Sequence, residues 1–244
     1  MDGLILVDKP EGLTSFAVVR KIRKIANVKR VGHAGTLDPD ATGLLLVCVG
    51  KATKLSDVLM EGQKTYQTQM HFGKISDTYD SSGVITECSS DPVEEISLNK
   101  VMNSFVGKIL QKPPVYSAKK INGKKLYEYA RKGQEVEIPE KEVIIDSITV
   151  EEFEPRQAQL RVVCSKGTYI RSLVHDMGQA LGCGALASGI RRTQSGTFSV
   201  KHALALDESI TIEQLLSALI PLSKLREQLF SDRPIPPHIL RRVF

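Results

Sequence analysis

Residues 44–50 read LLLVCVG, an apolar run with no polar position before the glycine. A strand with one wet face alternates apolar and polar residues. A strand without that alternation is covered on both sides, so this run is expected to be a central strand. Such a strand needs other layers around it, and 244 residues suffice for one large domain or two small ones with a true core. A hydrophobic content of 41% beside 25% charged residues excludes a low-complexity or disordered chain. No apolar run approaches the ~20 residues of a membrane span. The start, MDGLILVDKP, carries an acid and only a short apolar stretch, unlike a signal peptide. The cytoplasm is the expected location.

The other elements are read around that strand. GLILVD (3–8) reads as a buried strand broken by Lys9-Pro10-Glu11-Gly12. Thr14 or Ser15 can cap a helix from Phe16 to about Ala26. Phe16, Val19, Ile22 and Ile25 recur at three-residue steps there, with bases at other positions. Lys51 to Met60 is expected to be helical and Thr65 to Phe72 a strand. GKISDTYDSSG (73–83) reads as a long polar loop, a kind often functional. Further helices are expected from Ser97 to about Val106, from Leu126 to Arg131, from Tyr169 to about Leu181, and last from Thr211 to Leu219. Asn122-Gly123 is a turn signal. Two or three strands are expected between Glu135 and Glu152, another at Ala158–Cys164, and more strand over Gly184–Val200 with a kink at Gly196. The tail DRPIPPHILRRVF has no periodicity. Helices interspersed without a βαβ rhythm argue for an α+β fold with a large mixed or antiparallel sheet. No phosphate-binding glycine loop, GxGxxG or GxxxxGK[ST], is present.

Cys48, Cys88, Cys164 and Cys183 form no CxxC pair, and the histidines are scattered, so buried thiols and no metal are expected. The net charge of +5 is mild, but its distribution is not even. Arg20, Lys21, Arg23, Lys24, Lys29 and Arg30 form one basic segment. Lys112, Lys119, Lys120, Lys124, Lys125, Arg131 and Lys132 form another. Two such segments are either solvated faces or the footprint of a polyanion.

GHAGTLDPDATG (32–43) joins the basic helix to the central strand. Asp38, before a proline and between glycines, suits an Asx-turn. Beside positive charge it equally suits an ionised nucleophile or base. Tyr66 and Tyr169 sit at element edges, where half-buried core tyrosines are common. Arg171, two residues past Tyr169, can reach a carboxylate bidentately. Two aromatic faces, an arginine and an aspartate suffice to hold a flipped base and attack its sugar or ring. His33 can act as a base or stack on RNA, and the positional role is favoured. No serine hydrolase elbow (GxSxG) occurs.

Several stretches in order resemble the TruB-type bacterial tRNA pseudouridine synthases. They are DKPEGLTSF, RVGHAGTLDPDATGLLLVCVGKATK, KTYQTQMHFGKISDTYD, PPVYSAKKINGKKLYEYAR, and GTYIRSLVHDMGQALG followed by IRRTQSGTF. They cover most of residues 3–205, the expected catalytic domain of a pseudouridine synthase fold. The resemblance implies that uridine 55 in the T arm of tRNA is isomerised without a cofactor. It implies that Asp38 is the essential aspartate, and that Tyr66 stacks on uracil and assists proton removal. Tyr169 and Arg171 match the pocket tyrosine and the arginine that pairs with the aspartate. His33 matches the histidine that fills space left by everted T-loop bases. Ile190 stands where the family usually has leucine, a volume-conserving exchange. Lys9, Arg20 and Lys64 join the expected substrate-binding set.

Residues 206–244 are expected to be a short helix and tail, too short for the family's C-terminal RNA-binding (PUA) domain. A monomer acting on the tRNA T stem-loop is expected, without guide RNA, DNA or membrane. Whether Asp38 attacks C1′, attacks the ring or removes a sugar proton stays open. Two other classes share some of these features. A catalytically silent RNA-binding module would not need the full Asp38, Tyr66, Tyr169 and Arg171 set. A sugar hydrolase would need a second carboxylate, for which Asp40 and Asp77 are available.

Overall fold

The computed structural model describes residues 1–244 except Ala118, Asn122, Arg131, Glu135, Glu208, Asp232, Arg233, Phe244 and the side chain of Arg242. Asn122 of the expected turn, Arg131 and Glu135 thus lie outside the described residues. The chain forms two compact units, one of residues 1–65 and 191–244 and the other of residues 66–190. The fold is α+β with a large mixed sheet flanked by helices.

In chain order the elements begin with β1 (Gly3–Lys9), α1 (Ser15–Ala26), β2 (Val31–Ala34) and β3 (Thr42–Val49). A 3₁₀ turn (Gly50–Leu55), α2 (Ser56–Glu61) and β4 (Lys64–Phe72) follow. The middle of the chain holds β5 (Lys74–Ser76), β6 (Ile85–Glu87), α3 (Glu95–Ser104), β7 (Gly107–Gln111), β8 (Lys120–Ile121) and β9 (Lys124–Lys125). It continues with α4 (Leu126–Ala130), β10 (Lys141–Glu154), β11 (Gln157–Cys164) and α5 (Ile170–Ala180). The last part holds β12 (Ala185–Ser195), β13 (Phe198–Ser199), β14 (Leu204–Ala205), α6 (Ile212–Ser217), β15 (Leu219–Pro221), α7 (Leu222–Phe230) and α8 (Pro237–Val243).

In the first unit the strand order is β14–β1–β3–β12, with β15 also on β1, β2 on β3 and β13 on β12. β1 runs antiparallel to β3 and parallel to β14, so this sheet is mixed. Leu44 to Val49 are all buried, as an uninterrupted apolar run requires. The pleat divides them between two cores. Leu44, Leu46 and Cys48 pack with Leu55, Leu59 and Phe230, while Leu45, Val47 and Val49 pack with Val18, Val19 and Ile22 of α1. In the second unit the order is β12–β4–β11–β10–β7. Its core gathers Met70, Leu98, Leu160, Val162, Leu173 and Met177.

Several expected boundaries need correction. The 73–83 segment is no plain loop, because β5 pairs with β6 as a short hairpin. Its strands are too polar to show alternation, and turn hydrogen bonds hold them instead. The helix expected from Ser97 starts at Glu95. The strands expected before Glu152 are one strand, β10, whose register shifts between Ile145 and Ser147 and between Val150 and Glu152. Each bulge interrupts the period-two pattern without ending the strand. Residues 211–219 do not hold the last helix. The proline-rich tail supplies α8, with Pro237 at its first position, where the missing N–H costs nothing. Ile239 and Val243 of α8 are buried. Cys48 and Cys164 are buried thiols as expected, but Cys183 is half-buried and Cys88 is exposed.

Candidate active site

The loop carrying Asp38 is held by donors fixed in the core of the first unit. Thr14, not Ser15, caps α1, its hydroxyl accepting from the Ala17 N–H. That leaves the buried Ser15 hydroxyl to clamp Leu37 at both ends. It accepts from the Leu37 N–H at 2.9 Å and donates to the Leu37 carbonyl at 3.1 Å. Arg192 of β12, only 1% exposed, donates to the carbonyls of Gly35, Thr36 and Leu44 at 3.1, 3.2 and 2.8 Å. Lys9, at the end of β1 and fully buried, donates to the carbonyls of Pro10, Leu13 and Pro39 at 2.9, 2.6 and 2.8 Å. Burial pulls the Lys9 ammonium down to about 8, while Asp40, Asp38 and Glu11 pull the other way.

The residues on both sides of Asp38 are therefore tied by side chains arriving from β1, α1 and β12. Ala41 N–H closes the turn on the Asp38 backbone carbonyl at 3.2 Å. Asp38 itself is half-buried and Asp40 is exposed. Gly43 must be glycine. Its φ is +98°, and a Cβ there would lie 2.3 Å from the Arg192 carbonyl oxygen.

His33 stands in β2 and is half-buried. Burial, then the Arg192 guanidinium, lowers its pKa, so the imidazole favours its neutral form. Its Nδ1 is buried without a hydrogen-bond partner among the described residues. Lys64 is buried too, and its ammonium bonds the carbonyls of Met60 and Gly62 at the end of α2. Arg20 lies on the exposed side of α1, its guanidinium 5.5 Å from the Phe16 ring centroid. Arg191, beside Arg192, pairs bidentately with Asp8 at 2.9 and 2.6 Å.

The second unit holds Tyr66, Tyr169, Arg171 and Ile190. Tyr66 and Ile190 are partly buried against its core. Tyr169 occupies the N-cap position of α5. The buried Gln111 amide grips it at two points, accepting from its N–H at 2.8 Å and donating to its carbonyl at 3.0 Å. Two residues on, in the first turn of α5, Arg171 has a side chain only 5% exposed. Its Nε meets the Asp80 carboxylate at 3.3 Å. Its two terminal nitrogens donate to the carbonyls of Thr78 and Tyr116 at 2.9 and 3.1 Å. Within this unit the guanidinium is thus held by two carbonyls and a carboxylate.

Asp80 is itself prepared. Its Oδ1 accepts from the hydroxyls of Thr78 and Ser82, each at 2.6 Å, and from the Ser82 N–H at 3.0 Å. That leaves Oδ2 to face the arginine. Asp77 accepts from the Val84 N–H at 2.8 Å, a turn role.

Sequence reasoning missed Asp80, Gln111, Ser15 and Arg192. The length of the 73–83 segment was the one signal that pointed toward Asp80. The stretch IRRTQSGTF contained Arg192 without hinting at its carbonyl partners. Chemically, the first unit offers a carboxylate on a loop held by core side chains and, in β2, an imidazole that favours its neutral form. The second offers an oriented guanidinium and two aromatic side chains. Among the described residues no cluster of three metal-ligating side chains occurs, and no helix is long and apolar enough to cross a membrane.

The sequence matches the family model for the N-terminal domain of TruB family pseudouridylate synthases over residues 23–170. It matches the tRNA pseudouridylate synthase B C-terminal domain model over residues 171–243. A similar protein is the tRNA pseudouridine synthase B of Clostridium acetobutylicum, 45% identical over 227 residues, covering 93% of this chain and 78% of that protein. Another is the tRNA pseudouridine synthase B of Bordetella pertussis, 44% identical over 228 residues, covering 92% and 93%. Among solved structures, a Cbf5–Nop10–Gar1 complex aligns with 34% identity and a TM-score of 0.70 over 92% of this chain and 61% of the matched one. An H/ACA ribonucleoprotein bound to a substrate RNA containing 2′-deoxyuridine aligns with 31% identity, a TM-score of 0.68 and the same coverages. The chain thus spans about three-fifths of these two structural relatives.

Proposed function

Because this chain belongs to the TruB family of pseudouridylate synthases, we propose that it converts uridine 55 to pseudouridine in the T stem-loop of tRNA, with Asp38 as the reacting carboxylate. The curated relatives are named for tRNA, and one structural relative was solved with a substrate RNA. The observation that carries the assignment to Asp38 is its loop. Buried donors from Lys9, Ser15 and Arg192 bind the carbonyls around it. A turn closed by the Asp38 backbone and held by three core side chains fixes where its carboxylate stands, as preorganised chemistry requires.

The reaction is an isomerisation and balances without a co-reactant. The N1–C1′ glycosidic bond breaks, C1′ bonds to C5 of the turned uracil, C5 loses its proton, and N1 gains one. The base must first leave its stack, at a cost of a few kcal/mol. Stacking on Tyr66 and Tyr169 returns ~1–3 kcal/mol per contact. Arg171 supplies the cation that the carboxylate anion requires. Asp38 then attacks C1′, attacks the ring, or removes a sugar proton. His33, favoured in its neutral form, takes the space vacated by everted loop bases rather than a phosphate. Ile190 contributes apolar wall. Arg20 on exposed α1 faces solvent and suits a phosphate, whereas Lys9 and Lys64 act by holding backbone.

The test is tritium release from tRNA transcripts labelled at C5 of uracil. Wild type is expected to release it, and Asp38→Asn to release none while binding tRNA unchanged. Full release by Asp38→Asn would remove the carboxylate from the mechanism. Undiminished release from a transcript with cytidine at position 55 would remove that position as the target.

A further inference from the structure

The turn that holds Arg171 contains a residue in the left-handed region. Tyr79 has a φ of +66°, where bulky side chains are rare. It stands between Thr78 and Asp80, the two turn residues that bond the guanidinium. A conformation like this persists only where its surroundings hold it in place. The backbone part of the hold is visible: Tyr79 N–H donates to the Ser76 carbonyl at 3.2 Å, and its carbonyl accepts from the Ala187 N–H at 3.1 Å. The side-chain part is a ring stack. Tyr79 lies on His175 with centroids 3.9 Å apart and planes 13° from parallel.

His175 is four residues beyond Arg171 on α5, and so on the same helix face. The 78–80 turn therefore meets α5 at two points one helical turn apart, the guanidinium at the first and the ring stack at the second. The ring stack thus adds to the backbone bonds with Ser76 and Ala187 in fixing where the turn stands against the helix. The guanidinium points where its partners stand, and two of them, the Thr78 carbonyl and the Asp80 carboxylate, flank Tyr79 in the turn. Burial lowers the His175 pKa, in keeping with a neutral ring in the stack.

We propose that Tyr79 is a positioning residue: by stacking on His175 it locks the 78–80 turn against α5 and so sets the orientation of Arg171. The proposal rests on the reading of Arg171 as part of the catalytic set. It differs from a plain packing role in a measurable way. Glycine at position 79 removes both the ring and the backbone strain, so stability and rate should part company.

The experiment compares Tyr79→Gly, Tyr79→Phe, Arg171→Lys and the Tyr79→Gly/Arg171→Lys double variant. It uses thermal melts and steady-state tritium release from C5-labelled tRNA. Tyr79→Gly is expected to melt no lower than wild type yet lose about ten- to a hundredfold in kcat, with KM within about twofold. Tyr79→Phe, which keeps the ring, is expected to recover the wild-type rate. The double variant should be no slower than Arg171→Lys, because the two act through one group. Wild-type turnover by Tyr79→Gly would overturn the proposal. So would an undiminished effect of Tyr79→Gly in the Arg171→Lys background. Should Tyr79→Gly not fold, Tyr79→Asn, which also tolerates the left-handed region, carries the same expectations. A wild-type protein that releases no tritium would overturn both this proposal and the functional reading. A failure confined to the Tyr79 variants overturns this proposal alone.

Discussion

A half-buried carboxyl resists ionisation, and Asp176 on α5 is such a group. Burial, then the charge of Glu140, raises its pKa from 3.8 to about 6. The sign of the effect follows from linkage. Below 3.8 the carboxyl is protonated in both folded and unfolded chains. From there to about 6 the unfolded chain ionises while the folded one keeps its proton, so stability falls as pH rises. Above about 6 the loss is complete. After discounting for partial solvent exposure, the penalty at neutral pH is on the order of 1 kcal/mol. Asp176→Asn is therefore expected to be more stable than wild type at pH 7 by about that amount, with the gain vanishing toward pH 4. Urea unfolding at both pH values would check it, and an equal difference at both would refute it. At this scale the sequence marked the side chains that can do chemistry, because Asp38, Tyr66, Tyr169 and Arg171 stand in short recognisable stretches. Their holders were not legible. Arg192 and Thr36 are 156 residues apart, and Arg171 and Thr78 are 93 apart. No local pattern announces a cation that bonds a distant carbonyl.

Helix α1 links a cap to the site. Thr14 satisfies one orphan N–H, that of Ala17, and leaves Ser15 for Leu37. At the other end Asn27 takes the left-handed C-cap conformation, φ 50° and ψ 43°, and donates to the Arg23 carbonyl. Thr14→Ala is expected to cost about 1 kcal/mol of stability, while Thr14→Ser should be close to neutral. Chemical denaturation would separate the two, and equal losses would show that the methyl group rather than the hydroxyl matters. The elements that fell where the sequence placed them carry a clear local signal: a period and a cap in α1, alternation in β11, an unbroken apolar run in β3. β10 did not, because its bulges interrupt the alternation that marks a strand. The β5–β6 hairpin is held by Asp77 and Asp80 rather than by apolar residues. α7 and α8 owe their order to Leu225, Phe230, Ile239 and Val243 reaching a core built mainly from β1, β3 and α2.

Over the whole molecule the net charge is only +5, but the basic residues are concentrated in α1 and in the 112–132 segment, one in each unit. A tRNA gripped through about six phosphates should lose roughly a thousandfold in affinity between about 50 and 200 mM salt. Filter binding across that range measures the slope, and an affinity indifferent to salt would show that these segments are merely solvated faces. The α+β class and the doubly covered central strand were determined by the sequence alone, and the candidate chemical residues were named from it, because period, capping and motif are local properties of a chain. Only the tertiary structure decided that Lys9, Ser15 and Arg192 hold the Asp38 loop, that Asp80 faces Arg171 and that Tyr79 stacks on His175. Those contacts join side chains to backbone atoms and rings far along the chain, and which atoms meet is known only once the sheets have formed.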